Sequence, residues 1–172
     1  MRPGVMRCIT SIALVVAVGL VVAAPAAGFA VSGQQVPKSA VKYKMKGDLL
    51  GKFKITKFRL IRDAPVFKAK GRERFNGCID SDRDRSCDGE VTGRLFFKFR
   101  YWARFEDGDQ LELGTCAHRV TGGKDGFAGA TGFLMMVDTP NGSPVGFKTH
   151  YEGEINPPGF ARSGGAGAPR SC

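Results

Sequence analysis

Glu73, His118, His150 and a loop of alternating aspartates are the groups in this sequence placed to move protons or hold an ion. Glu73 alternates in phase with Phe67 and Phe75, which leaves two readings. It points into an apolar interior, where a desolvated carboxyl has a raised pKa and serves as a general acid or base. Alternatively, it sits at a rim, solvated beside Arg72 or Arg74. His118 and His150 each fall mid-strand and either can titrate near neutral pH. His150 shares its face with Lys148 and Glu152, an outward one, which turns Phe147 and Tyr151 inward. For His118 the phase of Leu111 and Leu113 says outside, whereas Val120 shares its own phase. Two histidines without a clustered carboxylate or thiolate do not make a zinc signature.

The loop Cys78 to Glu90 puts Asp80, Asp82, Asp84, Ser86 and Asp88 at every second position, as in a calcium-binding loop. The pattern is incomplete. Arg85 stands where a glycine makes the sharp turn, Val91 stands where a bidentate glutamate belongs, and Arg83 and Arg85 offset the charge. The competing reading is a solvated hairpin tip closed by a disulfide. The chain has no Gly-x-Ser-x-Gly elbow, and Gly123-Lys124 is followed by Asp125 rather than the Ser or Thr of a phosphate loop. Covalent catalysis is not expected, and no cofactor beyond calcium is suggested.

The elements that must position these groups read as strands. Val41, Tyr43 and Met45 alternate with Lys42, Lys44 and Lys46. Phe53 and Ile55 alternate with lysines until the phase slips to Phe58 and Leu60, so one extra residue near Thr56 predicts a β-bulge. Phe67, Ala69, Gly71, Glu73 and Phe75 share a face. The strongest pattern is Leu95, Phe97, Phe99, Tyr101, Ala103 and Phe105 on one side, opposed by Phe96, Lys98, Arg100, Trp102 and Arg104. Asp107-Gly108 and Asn141-Gly142 are tight-turn signals. Glycines 126, 129 and 132 mark a kinked entry to Phe133-Leu134-Met135-Met136-Val137. Hairpin follows hairpin, and a long meander closes into a barrel to remove its edges. The expectation is an all-β, single eight-stranded antiparallel up-and-down β-barrel. Such a barrel is either plugged by its own side chains or holds one small ligand. Phe97, Phe99, Tyr101, Phe105, Phe147 and Tyr151 are the expected apolar lining.

Gly114-Thr-Cys-Ala-His-Arg-Val-Thr-Gly-Gly-Lys-Asp-Gly-Phe-Ala-Gly-Ala-Thr-Gly, followed by Thr149-His-Tyr-Glu-Gly-Glu-Ile, resembles exported bacterial relatives of the allene oxide cyclase-like barrels. That superfamily also includes the plant dirigent proteins. The resemblance covers the last third of the chain and reaches the first half only through strand rhythm. It implies an eight-stranded barrel with an apolar cavity that holds a reactive or hydrophobic small molecule in one folded conformation. Some members cyclise or couple that molecule with little covalent help. The plant enzymes' functional residues match no positions here. Relatives also suggest a homo-oligomer.

Arg2 and Arg7 precede an apolar run from Ile12 to Ala24, then Pro25 and small residues, the order of a secretory signal peptide over 1–30. Cleavage after Ala26 or Ala30 is expected. The competing reading is an uncleaved anchor, since apolar residues continue toward Val31 and approach the ~20 needed for a span. Residues 31–38 read as a flexible lead-in, 39–156 as the barrel and 157–172 as a Gly-, Ala- and Pro-rich tail. The expected location is secreted, extracellular or in the cell envelope. Exported cysteines pair. Cys78, Cys87, Cys116 and Cys172 allow three pairings; the one favoured joins Cys78 to Cys87, which clamps one polar loop, and leaves Cys116 for Cys172. Removing Arg2 and Arg7 from the net charge of +10 leaves +8. Outside the cell, that charge points to anionic wall polymers or lipid headgroups rather than nucleic acid. Two functions stand side by side: a barrel that binds a hydrophobic small molecule and steers its cyclisation or coupling, and a non-enzymatic cationic envelope protein with a filled barrel.

Overall fold

Lysines and arginines alternate with apolar residues along most of the chain, and that alternation becomes the outside and inside of one closed surface. The structure, a computed structural model, describes residues 28–63, 66–106, 110–141 and 147–158. Eight antiparallel strands follow one another: β1 (Phe29–Ser39), β2 (Lys42–Gly47), β3 (Leu49–Arg62), β4 (Val66–Ile79), β5 (Val91–Glu106), β6 (Gln110–Asp125), β7 (Thr131–Pro140) and β8 (Phe147–Asn156). Each pairs with the next, and β8 pairs with β1 to close the barrel. No helix occurs among the described residues. The expected fold is therefore the fold present.

The β-bulge expected near Thr56 is there. Ile55 pairs with Glu73 and Lys57 with Arg72, leaving Thr56 unpaired between them. Two further irregularities, at Glu112 and Thr121 of β6, reset its phase against β5. The β6–β7 turn follows Asp125, and Gly129 occupies its left-handed position with φ of 75°, where a side chain would be strained. The segment 31–38, expected as a flexible lead-in, is instead most of β1. Its pairing with β2 and β8 supplies the hydrogen bonds that close the barrel. Alternate β1 residues Phe29 and Val31 are buried; polar Ser32, Gln34 and Gln35 masked the strand in the sequence. Residues 1–27 of the leader expected over 1–30, both tight-turn glycines, most of the tail and Cys172 lie outside the described residues, while Phe29 and Ala30 belong to β1.

The lumen divides along the barrel axis. At the end carrying the β2–β3, β4–β5 and β6–β7 connections, Met45, Leu49, Phe75, Leu95, Phe127, Leu134 and Ile155 fill the interior completely. Phe75 and Phe127 meet edge to face with centroids 6.3 Å apart. The Cys78–Cys87 disulfide closes the β4–β5 loop over this end. Arg83 of that loop reaches Asp48 at 2.8 Å and ties it to the β2–β3 turn. The opposite end, where the β1–β2, β3–β4, β5–β6 and β7–β8 connections lie, is not filled.

Candidate functional site

The unfilled half of the lumen is a cavity of about 540 Å³, within the range of small-molecule sites. Its wall is aromatic and aliphatic: Tyr43, Ile55, Phe58, Phe67, Phe99 and Tyr101, with Phe105 and Phe147 at the mouth. Gly71 helps to keep the space open, because a Cβ there would run into the Phe99 ring and the Lys57 carbonyl. The rings stack outward from the floor, with Phe67 to Tyr101 at 5.9 Å and Phe67 to Phe105 at 6.3 Å.

The floor is polar and dry. Glu73 points inward, so the interior reading of that residue holds and the rim reading falls. His118 also points inward; both are almost fully buried. His118 Nε2 lies 2.8 Å from Glu73 Oε2. Oε2 is buried and makes no hydrogen bond with any described group, so its approach to His118 Nε2 is a close charge contact rather than a hydrogen bond. The other ring nitrogen, Nδ1, is 3.1 Å from the Cys116 carbonyl. A carbonyl only accepts, so Nδ1 carries a hydrogen. Nε2 is therefore the ring nitrogen turned toward Glu73. The ring is fenced by Phe53, Phe97 and Phe99 with centroids 5.8, 6.3 and 6.0 Å away. Cys116 Sγ approaches Nε2 at 3.4 Å.

A second polar group lines the same cavity on the neighbouring strands β7 and β8. Thr149 Oγ1 donates to Asp138 Oδ1 at 2.6 Å, and the Tyr101 hydroxyl also bonds this carboxyl. Burial raises the Asp138 carboxyl above the usual carboxylate range, and both hydrogen bonds work against that rise. Burial likewise raises the Cys116 thiol, reinforced by the negative charges of Glu73 and Asp138, so it stays protonated. The hydroxyls of Tyr43 and Tyr101 are raised for the same first reason, desolvation. The cavity therefore holds a thiol and two phenols that keep their protons, a carboxyl raised by burial, and one histidine–glutamate pair.

Four of the six expected lining residues, Phe99, Tyr101, Phe105 and Phe147, border the cavity. Phe97 and Tyr151 do not. Phe97 packs into the closed half against Phe53 at 5.6 Å. Tyr151 is a structural bolt whose hydroxyl accepts from Leu49 N at 2.8 Å and donates to the Lys46 carbonyl at 3.1 Å. His150 is exposed on the outer face, as its neighbours predicted. Cys78 and Cys87 are bridged, but Cys116 is a free thiol in the lumen, so the expected Cys116–Cys172 bridge is not formed. Asp138 and Thr149 were not anticipated as site residues, and Cys116 was expected only as a disulfide partner. Their signal was phase: Asp138 alternates with Leu134 and Met136, and Thr149 with Tyr151.

The acidic loop does not adopt the calcium-loop order. Asp80, Asp82 and Glu90 bring one carboxylate oxygen each within 4.8 Å of one another, without Asp84 or Asp88. Asp84 Oδ1 accepts from Ser86 N at 2.6 Å, and Asp82 Oδ1 from Asp84 N at 3.2 Å, so these side chains build turns. Glu90 Oε1 accepts from both the backbone and the hydroxyl of Ser81.

Comparison with known proteins finds no similarity: no family model, no curated protein and no solved structure matches this chain.

Proposed function

We propose that the protein is an exported barrel that binds a hydrophobic small molecule in its half-open lumen and rearranges it by proton transfer. One observation carries the reading: a buried Glu73–His118 contact of 2.8 Å at the floor of an apolar cavity of about 540 Å³. Such a pair takes a proton from one position of a bound molecule and returns it to another, with no redox change and no cofactor. Confinement between Phe99, Tyr101 and Phe58 would fix the folded shape in which a ring can close. The Asp138 carboxyl and the Tyr101 hydroxyl would orient a polar group of the ligand. The resemblance of Gly114 to Gly132 to allene oxide cyclase-like barrels supports the same class of chemistry.

Native mass spectrometry of protein purified from its own host is expected to reveal a co-purifying apolar ligand. Turnover of that ligand is expected to fall about 10²–10⁴-fold in Glu73→Gln, the usual contribution of one general acid–base group. Binding without any turnover, equal in both proteins, would reduce the barrel to a carrier.

A second reading, a non-enzymatic envelope protein adhering to anionic wall polymers, has its own observation. Lys57, Arg72, Lys98 and Arg119 are cross-strand neighbours on β3, β4, β5 and β6, forming a transverse row of four cations. Lys42, Lys54 and Arg74 form another such row. Salt-sensitive retention on cell walls by ligand-free protein would favour this reading over the first.

A further inference from the structure

The barrel leaves large apolar side chains exposed almost exclusively at its open end. Val41, Phe58, Leu60, Ile61, Phe105 and Phe147 are each more than a third exposed around the mouth, and Trp102 and Leu113 stand just behind on the outer face. Among the described residues, Phe133 is the sole large apolar side chain exposed toward the closed half. Soluble surfaces rarely gather apolar groups this way without something to cover them. The mouth residues come from β3, β5, β8 and the β1–β2 turn, so they form a ring rather than a one-sided patch. Beyond Lys54, β3 has no ladder partner on the β2 side, and Leu60 and Ile61 expose both faces of the strand.

A collar of cations surrounds this ring. Lys38, Lys42, Arg59, Arg62, Lys68 and Lys148 lie at the same end of their strands. Asp63 and Glu112 are the acidic side chains described there, and Glu112 faces Arg104 at 3.6 Å. We infer that the open mouth docks on an anionic lipid bilayer, with the apolar ring entering the headgroup region and the collar meeting lipid phosphates. A second copy stacked mouth to mouth would bring two cationic collars together, whereas an anionic surface complements them. Apolar side chains with flanking cations are the composition of a surface that lies on a membrane.

Val41, Phe58, Phe105 and Phe147 belong both to the exposed ring and to the cavity wall. A docked barrel would thus open its cavity straight into the lipid. This part rests on the cavity reading above, and it narrows the ligand class: a bilayer-soluble molecule with one hydrogen-bonding group able to reach Asp138 or the Glu73–His118 pair. Such a molecule would pass from lipid to protein without crossing water.

The test uses the exported protein, vesicles of phosphatidylglycerol and phosphatidylcholine or of phosphatidylcholine alone, and the neutral fluorophore N-phenyl-1-naphthylamine as cavity probe. Trp102 is the sole tryptophan and stands at the mouth, so it reports docking directly. The protein is expected to float with the anionic vesicles, and its emission to shift blue and be quenched by brominated lipid. Leu60→Ser/Ile61→Ser, which changes exposed residues outside the cavity wall, is expected to weaken vesicle binding at least tenfold while probe binding is kept. Lys54→Glu/Arg74→Glu, on the side wall, is expected to leave vesicle binding within about twofold. Wild-type protein that binds the probe but does not float overturns the docking and spares the cavity. Failure to bind the probe strikes the cavity reading itself. Flotation lost in Lys54→Glu/Arg74→Glu but kept in Leu60→Ser/Ile61→Ser overturns the mouth in favour of the side wall. An oligomer that the serine variant converts to monomer, without flotation, assigns the ring to a second copy instead.

Discussion

His118 is the residue on which the sequence pattern divides and the fold decides. Leu111 and Leu113 set one phase and Val120 the other; the irregularity at Glu112 separates them, leaving Leu113 outside and His118 inside. Once the phase is corrected, the alternation in β6, β7 and β8 brings Cys116, His118, Asp138 and Thr149 into one lumen. Glu73 was legible because β4 keeps an unbroken phase from Phe67 to Phe75. The pairing of Glu73 with His118 was not legible, because it depends on how two non-adjacent strands face each other across the barrel. Asp138 offers a test that needs no substrate. Its carboxyl is raised in the folded state, chiefly by burial, while in the unfolded chain it titrates near ~3.9. Between those points the native state holds more protons, so its contribution to stability is complete below the unfolded value and is lost as pH rises through the folded one. Asp138→Asn removes that dependence. In thermal melts from pH 3.5 to 7.5 the variant is expected to gain steadily on the wild type; a constant gap would contradict the raised carboxyl.

Elements were the most legible level, since lysine–apolar alternation has only one physical outcome when repeated along consecutive hairpins. Even the bulge at Thr56 followed from a slip in phase. The failure at β1 is equally instructive. Ser32, Gly33, Gln34 and Gln35 have weak strand preference, and it is pairing with β8 on one side and β2 on the other that makes them a strand. This bears on processing. Phe29 is core, and a cut after Ala30 would delete it, so amino-terminal sequencing of the exported protein is expected to find the cut after Ala26. A product starting at Val31 would mean the barrel closes without that side chain. The β4–β5 loop carries the next prediction. Its disulfide spans a sequence separation of nine, and a loop that short is worth about 2.5 kcal/mol by chain entropy. Cys78→Ser/Cys87→Ser is expected to lower the denaturation free energy by that order in urea titrations without opening the barrel, because the closed half is packed independently by Phe75, Phe127 and Leu134.

Across the whole molecule, the cationic rows put like charges directly opposite on neighbouring strands, an arrangement that destabilises each pair by roughly 0.2–1 kcal/mol. Lys54 stands between Lys42 and Arg74. Raising sodium chloride from 10 to 500 mM shortens the screening length below 10 Å, so the melting temperature is expected to rise. Lys54→Glu is expected to be more stable than wild type at low salt and to lose part of that salt response. A melting temperature that falls with salt would show that other ion pairs outweigh these rows. The placement of the chain ends carries a last implication. Phe29 pairs with Ile155, and Thr131 with Asn156, so the polypeptide enters and leaves the barrel on its sealed side. A leader kept as a tether would hold the molecule by its back, with the opening turned away from the membrane that anchors it. Were the leader cut, the barrel would be free to turn over, and cleavage would then set its orientation as well as trim it. For the same reason, a fusion partner joined to either terminus leaves the opening unobstructed.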